Sequence, residues 1–255
     1  MKIEKLYKYY SLNSYSISSV VNHFVYYSSA NDFNDPFDTK ILDIQLLQKA
    51  SFEQEKFFCM SGLNDNILMW SHYSNCHKGF CVEYSDFTDK EIQSLKIRGI
   101  FPNDAPNEKL GIIRNARKVQ YMSTSEIEDI ISQIPHDEKE FLKLYKSLKT
   151  KEEQKSLIDK IQKTSFIKHN DWCYEKEYRI VNTKSHISHA PGKISAVYFG
   201  LKMSSIDKRT IGILLNPKFD STCKLFQMYR EPGTFSLKHR DFDMKKDLDG
   251  IGIVY

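Results

Sequence analysis

From Ser125 to Lys168 the chain reads SEIEDIISQIPHDEKEFLKLYKSLKTKEEQKSLIDKIQKTSFIK, a stretch dominated by Glu and Lys. Ile127, Ile130 and Ile131, then Phe141, Leu144, Tyr145 and Leu148, recur at the spacing of one helix face. Pro135 removes a backbone donor in the middle, so the stretch predicts at least two helices. Working outward, the periodicity changes on both sides. Leu6–Tyr9, Phe24–Ser28, Phe57–Met60 and Gly79–Tyr84 precede it as short aromatic and β-branched runs, and Glu177–Val181, Ile194–Gly200, Leu225–Tyr229 and Gly252–Tyr255 follow it. Strands gathered at both ends, with no regular alternation with helices, predict an α+β fold built on a mostly antiparallel β core. The expected organisation is one domain over residues 1–255, with a helical insert at about 122–168 that either covers the core or closes over a ligand cleft. Asn13 or Ser14, Thr88 with Glu91 three residues on, and Ser204 or Ser205 are the expected helix starts.

Composition narrows the function classes. The 255 residues are long enough to bury a substantial core, and 27% charged with 40% hydrophobic residues is ordinary globular composition. Fifteen Tyr and 16 Phe supply amphipathic and apolar contact surface around a cleft. A net charge of +4 tolerates a nucleic-acid or nucleotide partner without demanding one. The five cysteines lack a Cys-x-x-Cys pair, and Met1–Lys5 carries no apolar signal core, so buried reduced thiols in a cytoplasmic protein are expected. No apolar run approaches the roughly 18 residues a membrane span needs. Gly-x-Gly-x-x-Gly, Gly-Lys-Ser/Thr and Gly-x-Ser-x-Gly are all missing, which sets aside the common dinucleotide, P-loop and serine-hydrolase signatures.

Three clusters carry potential chemistry. His72, Cys76, His77 and Cys81 have zinc-like spacing in part, but Cys81 falls in a strand-like run, so packed cysteines and polar histidines are expected and no metal. Asn34-Asp35-Pro36-Phe37-Asp38 reads as an Asx-type turn with Phe33 and Phe37 as anchors, an ordered loop suited to a cleft wall. Glu175-Lys176-Glu177 is the strongest signal. On a strand, Glu175, Glu177 and Arg179 share one face, with the two carboxylates about 7 Å apart. That proximity favours a raised pKa for one of them unless Arg179 compensates, and suits general acid–base work. Against this stands an exposed salt-bridged strand face of little energetic value. Trp172, Tyr174 and Tyr178 flank the motif as stacking rings.

Leu6-Tyr7-Lys8-Tyr9, Phe33 to Asp38, Leu68 to Tyr73 with His77 to Cys81, and Asp171-Trp172 through Arg179 together resemble a bacterial family of a domain of unknown function, number two-nine-seven-one. A further resemblance is to ADP-ribosyltransferases, which bind NAD without a Rossmann motif and carry a late Glu-x-Glu. Lys8 or Tyr9, then Tyr27-Ser28-Ser29, then Glu175-x-Glu177 follow a similar order, although the first strand lacks the usual His or Arg. That resemblance implies NAD as substrate. Glu177 would contact the nicotinamide ribose 2′-OH and steady an oxocarbenium centre, and Glu175 would deprotonate the acceptor. Tyr27 would stack on nicotinamide, with Lys8 on a phosphate and Tyr9, Ser28 and Arg179 completing the NAD contacts. Asn34, Asp35, Trp70, His72, His77, Trp172 and Tyr174 would shape the cleft on the acceptor side. The acceptor would be nucleic acid or protein, as for a toxin or defence effector. Two other expectations are a metal-dependent nuclease or hydrolase using Asp35, Asp38, Glu83 and Glu177, and a non-catalytic module binding nucleic acid or peptide.

Overall fold

The computed structural model describes residues 3–38, 55–182, 185–215 and 223–248. The chain is α+β, and its strand pairing is mostly antiparallel. It divides into two compact units.

The first unit comprises Met1–Val25, Cys59–Ala116 and Ser188–Tyr255. Its central strands are β1 (Lys5–Tyr10), β5 (Phe80–Ser85) and β11 (Lys193–Phe199), followed outward by β12 (Lys224–Arg230) and β13 (Leu237–Asp241). β1 pairs antiparallel with β5 over six residue pairs, Lys5 facing Ser85 through to Tyr10 facing Phe80. Phe80, Val82 and Tyr84 alternate with Cys81 and Glu83, and all five are buried, as a central strand covered on both faces requires. β11 and β12 run parallel. A parallel pair cannot be joined by a tight turn, and helix α7 (Ser205–Leu214), capped by Ser204, lies in the connection. Helix α1 (Ser14–Asn22) is capped by Asn13, α2 (Ile67–Tyr73) by Asn66 and α3 (Asp89–Ile97) by the Thr88–Glu91 capping box. Each cap satisfies helix-end donors and contributes about 1 kcal/mol. Under α3, Phe87, Ile92, Leu95, Phe101, Leu110 and Ile112 form a satellite core.

The second unit comprises Tyr26–Phe58 and Arg117–Ile187. β3 (Ser28–Ser29) pairs with the start of β4 (Lys56–Ser61), Ser28 against Phe57. β6 (Arg117–Lys118) pairs antiparallel with β9 (Glu177–Asn182). β7 (Gln120–Met122) pairs parallel with β8 (Ile167–His169). The Glu/Lys-rich stretch is the crossover between those two strands. It forms α4 (Thr124–Ser132), α5 (Glu138–Ser147) and α6 (Lys151–Thr164), with Pro135 between the first two. Phe141 and Leu157 pack together with Tyr145, Leu148 and Ile161, while α4 buries no residue fully.

Several local expectations are corrected. Phe24–Ser28 is not one strand: β2 (Phe24–Tyr26) pairs with β10 (Ile187–His189), and Ser28 belongs to β3. Between them Tyr27 is buried, its N–H donating to the His186 carbonyl at 2.6 Å. Phe37 is 82% exposed rather than an anchor, whereas Phe33 packs on Phe57. Cys76 and Cys173 are exposed, Cys59 and Cys223 half-buried, and Cys81 alone among the five is buried. Gly252–Tyr255 lies outside the described residues. Among the described residues, no helix is long and apolar enough to cross a membrane.

Candidate functional site

Strand β9 begins at Glu177, and two residues on, Arg179 points to the same face. Arg179 donates from Nε to Glu177 Oε1 at 2.8 Å and from Nη2 to Glu177 Oε2 at 3.0 Å, a two-pronged fork. The same Nη2 donates to Asp38 Oδ2 at 2.6 Å, and Nη1 to the Ser165 carbonyl at 2.7 Å. Lys168, on β8, reaches three acids at once: Nζ lies 2.6 Å from Glu175 Oε2 and 3.2 Å from both Glu177 Oε2 and Asp38 Oδ2. The Glu177 backbone N–H donates to the Tyr121 hydroxyl at 2.8 Å. Three carboxylates and two cations thus share one site, and none of their side chains is more than 7% exposed.

Glu175 does not lie on the strand, contrary to the sequence expectation. It ends a 3₁₀ segment (Asn170–Glu175), and Lys176 then adopts a left-handed conformation, φ 45° and ψ 50°. That turn separates Glu175 from the strand, yet both glutamates reach the Lys168 ammonium. The expected mutual repulsion is answered by Lys168, which the sequence reading missed. Burial alone would lower the Lys168 pKa, but Glu177, Glu175 and Asp38 outweigh it and hold the ammonium well above the usual lysine range. Burial, reinforced by Glu177 and Glu175, likewise pushes the Tyr121 hydroxyl up.

Aromatic rings border the cluster. Trp172 is half-buried with its ring 4.8 Å from Lys168 Nζ, and Tyr174 lies 6.0 Å from it between ring centres. Phe33 and Phe57 face the Arg179 guanidinium at 5.2 and 5.8 Å. A cation over a ring is worth about 0.5–2 kcal/mol, so these rings help hold both cations in place.

The remaining expected site residues behave differently. Within the second unit, Asp35 forms the anticipated Asx turn, its Oδ1 accepting from the Phe37 N–H at 2.9 Å; Asn34 is exposed and Ser28 half-buried. Tyr27 is buried against Phe58. Within the first unit, the Lys8 ammonium donates to the Cys59 carbonyl at 2.8 Å. Tyr9 is a core residue, its hydroxyl donating to the Leu63 carbonyl and its ring edge-on to Trp70. Trp70 is fully buried, with Nε1 donating to the Asn64 carbonyl. His77 stacks over Trp70 and its Nε2 lies 3.3 Å from Ser71 Oγ; His72 is exposed. Glu83 also belongs to this unit, where Lys5, Ser195 and Tyr198 engage its carboxylate. Asp35 is engaged by its own Asx turn and Glu83 by Lys5, Ser195 and Tyr198, whereas Asp38 and Glu177 share Arg179 and Lys168. Among the described residues, no three His, Cys, Asp or Glu side chains are disposed to hold a metal ion.

Sequence reasoning missed Lys168 and left Asp38 out of the Glu-x-Glu site. Lys168 follows Phe166 and Ile167 without alternation, which leaves its direction undecided, and a lysine is normally assigned to solvent.

An α+β protein with a buried cluster of three carboxylates and two cations at the head of a strand is what the fold and site define. Residues 69–180 match the family described as Protein of unknown function (DUF2971), which bears out over that span the resemblance read from the motifs. Trp70, His72, His77 and the run from Trp172 to Arg179 fall inside the match, whereas Lys8, Tyr27 and Asp38 lie outside it. No curated protein and no solved structure matches the chain.

Proposed function

We propose that the cluster around Glu177 is the catalytic centre of an ADP-ribosyltransferase-like enzyme that uses NAD. The observation that carries this is the Glu177 carboxylate, held at both oxygens by Arg179 and at one of them also by Lys168, inside a buried site. A carboxylate fixed in this way needs no reorganisation when positive charge develops beside it. Cleavage of the nicotinamide N-glycosidic bond generates such charge. The C1′–N bond breaks, neutral nicotinamide departs with the electron pair, and Glu177 steadies the oxocarbenium-like centre, as carboxylates do in glycoside hydrolysis. An acceptor nucleophile then forms the new bond to C1′, and Glu175 takes its proton. Lys168 and Arg179 serve as positioning residues. With Tyr27 buried, the aromatic wall falls to Trp172 and Tyr174, the half-exposed rings beside the cluster.

Calorimetric titration with NAD, together with a nicotinamide-release assay on wild type, Glu177→Gln and Glu175→Gln, tests this directly. Wild type is expected to bind and turn over NAD. Glu177→Gln should lose roughly 10²- to 10⁴-fold in release while keeping native circular dichroism. A folded wild-type protein that neither binds NAD nor releases nicotinamide overturns the proposal.

A further inference from the structure

Asp38 is only 2% exposed at its side chain, and its two oxygens are treated very differently. Oδ2 takes Arg179 Nη2 at 2.6 Å and Lys168 Nζ at 3.2 Å. Oδ1 is buried and has no hydrogen-bond partner among the described residues. A buried carboxylate oxygen without a donor forfeits its solvation, and native proteins carry few such groups. The cluster's own donors are already aimed elsewhere: the Lys168 ammonium faces three carboxylates and each Arg179 nitrogen has an acceptor.

The chemistry of a matching donor is constrained by its neighbours. A cationic group would be repelled by the ammonium and guanidinium that flank Asp38. A neutral donor escapes that repulsion. Among neutral donors, a hydroxyl also carries lone pairs and so tolerates the nearby cations, whereas an amide N–H₂ presents only hydrogens. Phe33 faces Arg179 and Trp172 faces Lys168, and both rings are half-buried, so ring surface lies beside the two cations. A hydroxyl-bearing sugar with an attached planar ring has both complements.

We infer that Asp38 Oδ1 is a substrate-contacting acceptor for a sugar hydroxyl of a ribose-bearing ligand. Asp38 would then set specificity for ribose over deoxyribose at the cluster, a role separate from the charge stabilisation assigned to Glu177. The inference rests on reading the cluster as a ligand site but not on NAD being the ligand.

The test titrates the full chain with NAD and ATP, each beside counterparts lacking the 2′- or the 3′-hydroxyl. At least one ribose-bearing probe should bind, with one missing hydroxyl weakening it roughly 10- to 100-fold, the range for a hydrogen bond to a charged acceptor. Asp38→Asn should erase that difference. If NAD binds but its deoxy counterparts bind wild type equally well, the Asp38 role is overturned while the NAD proposal survives. If ATP shows the hydroxyl dependence and NAD is neither bound nor cleaved, the Asp38 role stands and the NAD proposal falls. A folded wild type that binds no ribose-bearing probe at millimolar concentration removes both. Should Asp38→Asn fail to fold, the deoxy comparison on wild type decides alone.

Discussion

Arg179 Nη2 and Asp38 Oδ2 meet at 2.6 Å across a separation of 141 residues. Both are essentially buried, and the contact ties the start of β9 to the loop that follows Phe33. Arg179 also holds Glu177 through two nitrogens, so one guanidinium fixes two buried acids that otherwise share only the Lys168 ammonium.

Removing that guanidinium is therefore expected to cost far more than losing a surface pair. Arg179→Met leaves Asp38 and Glu177 with Lys168 as their remaining cation and strips the Ser165 carbonyl of its donor. Breaking one side of a buried ionic network typically costs about 3–5 kcal/mol. Arg179→Lys keeps the charge but cannot reproduce the fork, and should fall between the two. Urea denaturation followed by circular dichroism reads this out, and a change below about 1 kcal/mol for Arg179→Met contradicts the network.

The dependence on pH should differ at the two extremes. For Glu83, burial acts to raise its pKa, but hydrogen bonds from Lys5, Ser195 and Tyr198 outweigh it and hold the carboxyl below its usual 4.5. A depressed acid contributes stability that is present above pH 4.5 and lost as pH falls through the lower folded value. Lys168 has the opposite sign: its raised pKa contributes stability present below its usual 10.5 and lost only as pH rises through the still higher folded value. Melting temperature should thus decline on acidification below pH 4.5, and Glu83→Gln should flatten that decline while lowering the neutral-pH value. Lys168→Met should lower stability across the neutral range. Identical acid limbs for wild type and Glu83→Gln would count against the Glu83 assignment.

Lys176 offers a stabilising change. Its left-handed backbone costs a side-chain-bearing residue about 1–2 kcal/mol, while glycine's extra freedom in the unfolded chain costs roughly 0.5–1 kcal/mol. Lys176→Gly should therefore stabilise by a few tenths to about 1 kcal/mol, and Lys176→Val should destabilise, since a β-branched side chain fits this conformation worst. Thermal melts of the pair distinguish the outcomes. If Gly melts below Lys, the turn does not carry the strain its dihedrals imply.

Much of the frame is legible in local sequence. Asn13, Thr88 and Ser204 announce their helices because an N-cap acts within three residues. The apolar spacing from Ile127 to Leu148 announces helices because a period of 3.6 has no competing use. Glu177 and Arg179 share a face for the equally local reason that strand side chains alternate. Phe24–Ser28 misled because strand partners, not composition, decide where one strand ends and another begins.

The sequence by itself thus determined the α+β class, where three of the helices begin, and the Glu177–Arg179 pairing, since each follows from interactions spanning a few residues. Tertiary structure alone decided that Asp38 and Lys168 turn inward, that Glu175 reaches the cluster from a turn, and that Tyr9, Tyr27 and Trp70 serve as core. Whether a charged side chain is buried depends on finding opposite charge and excluding water, and those partners come together only when distant segments pack.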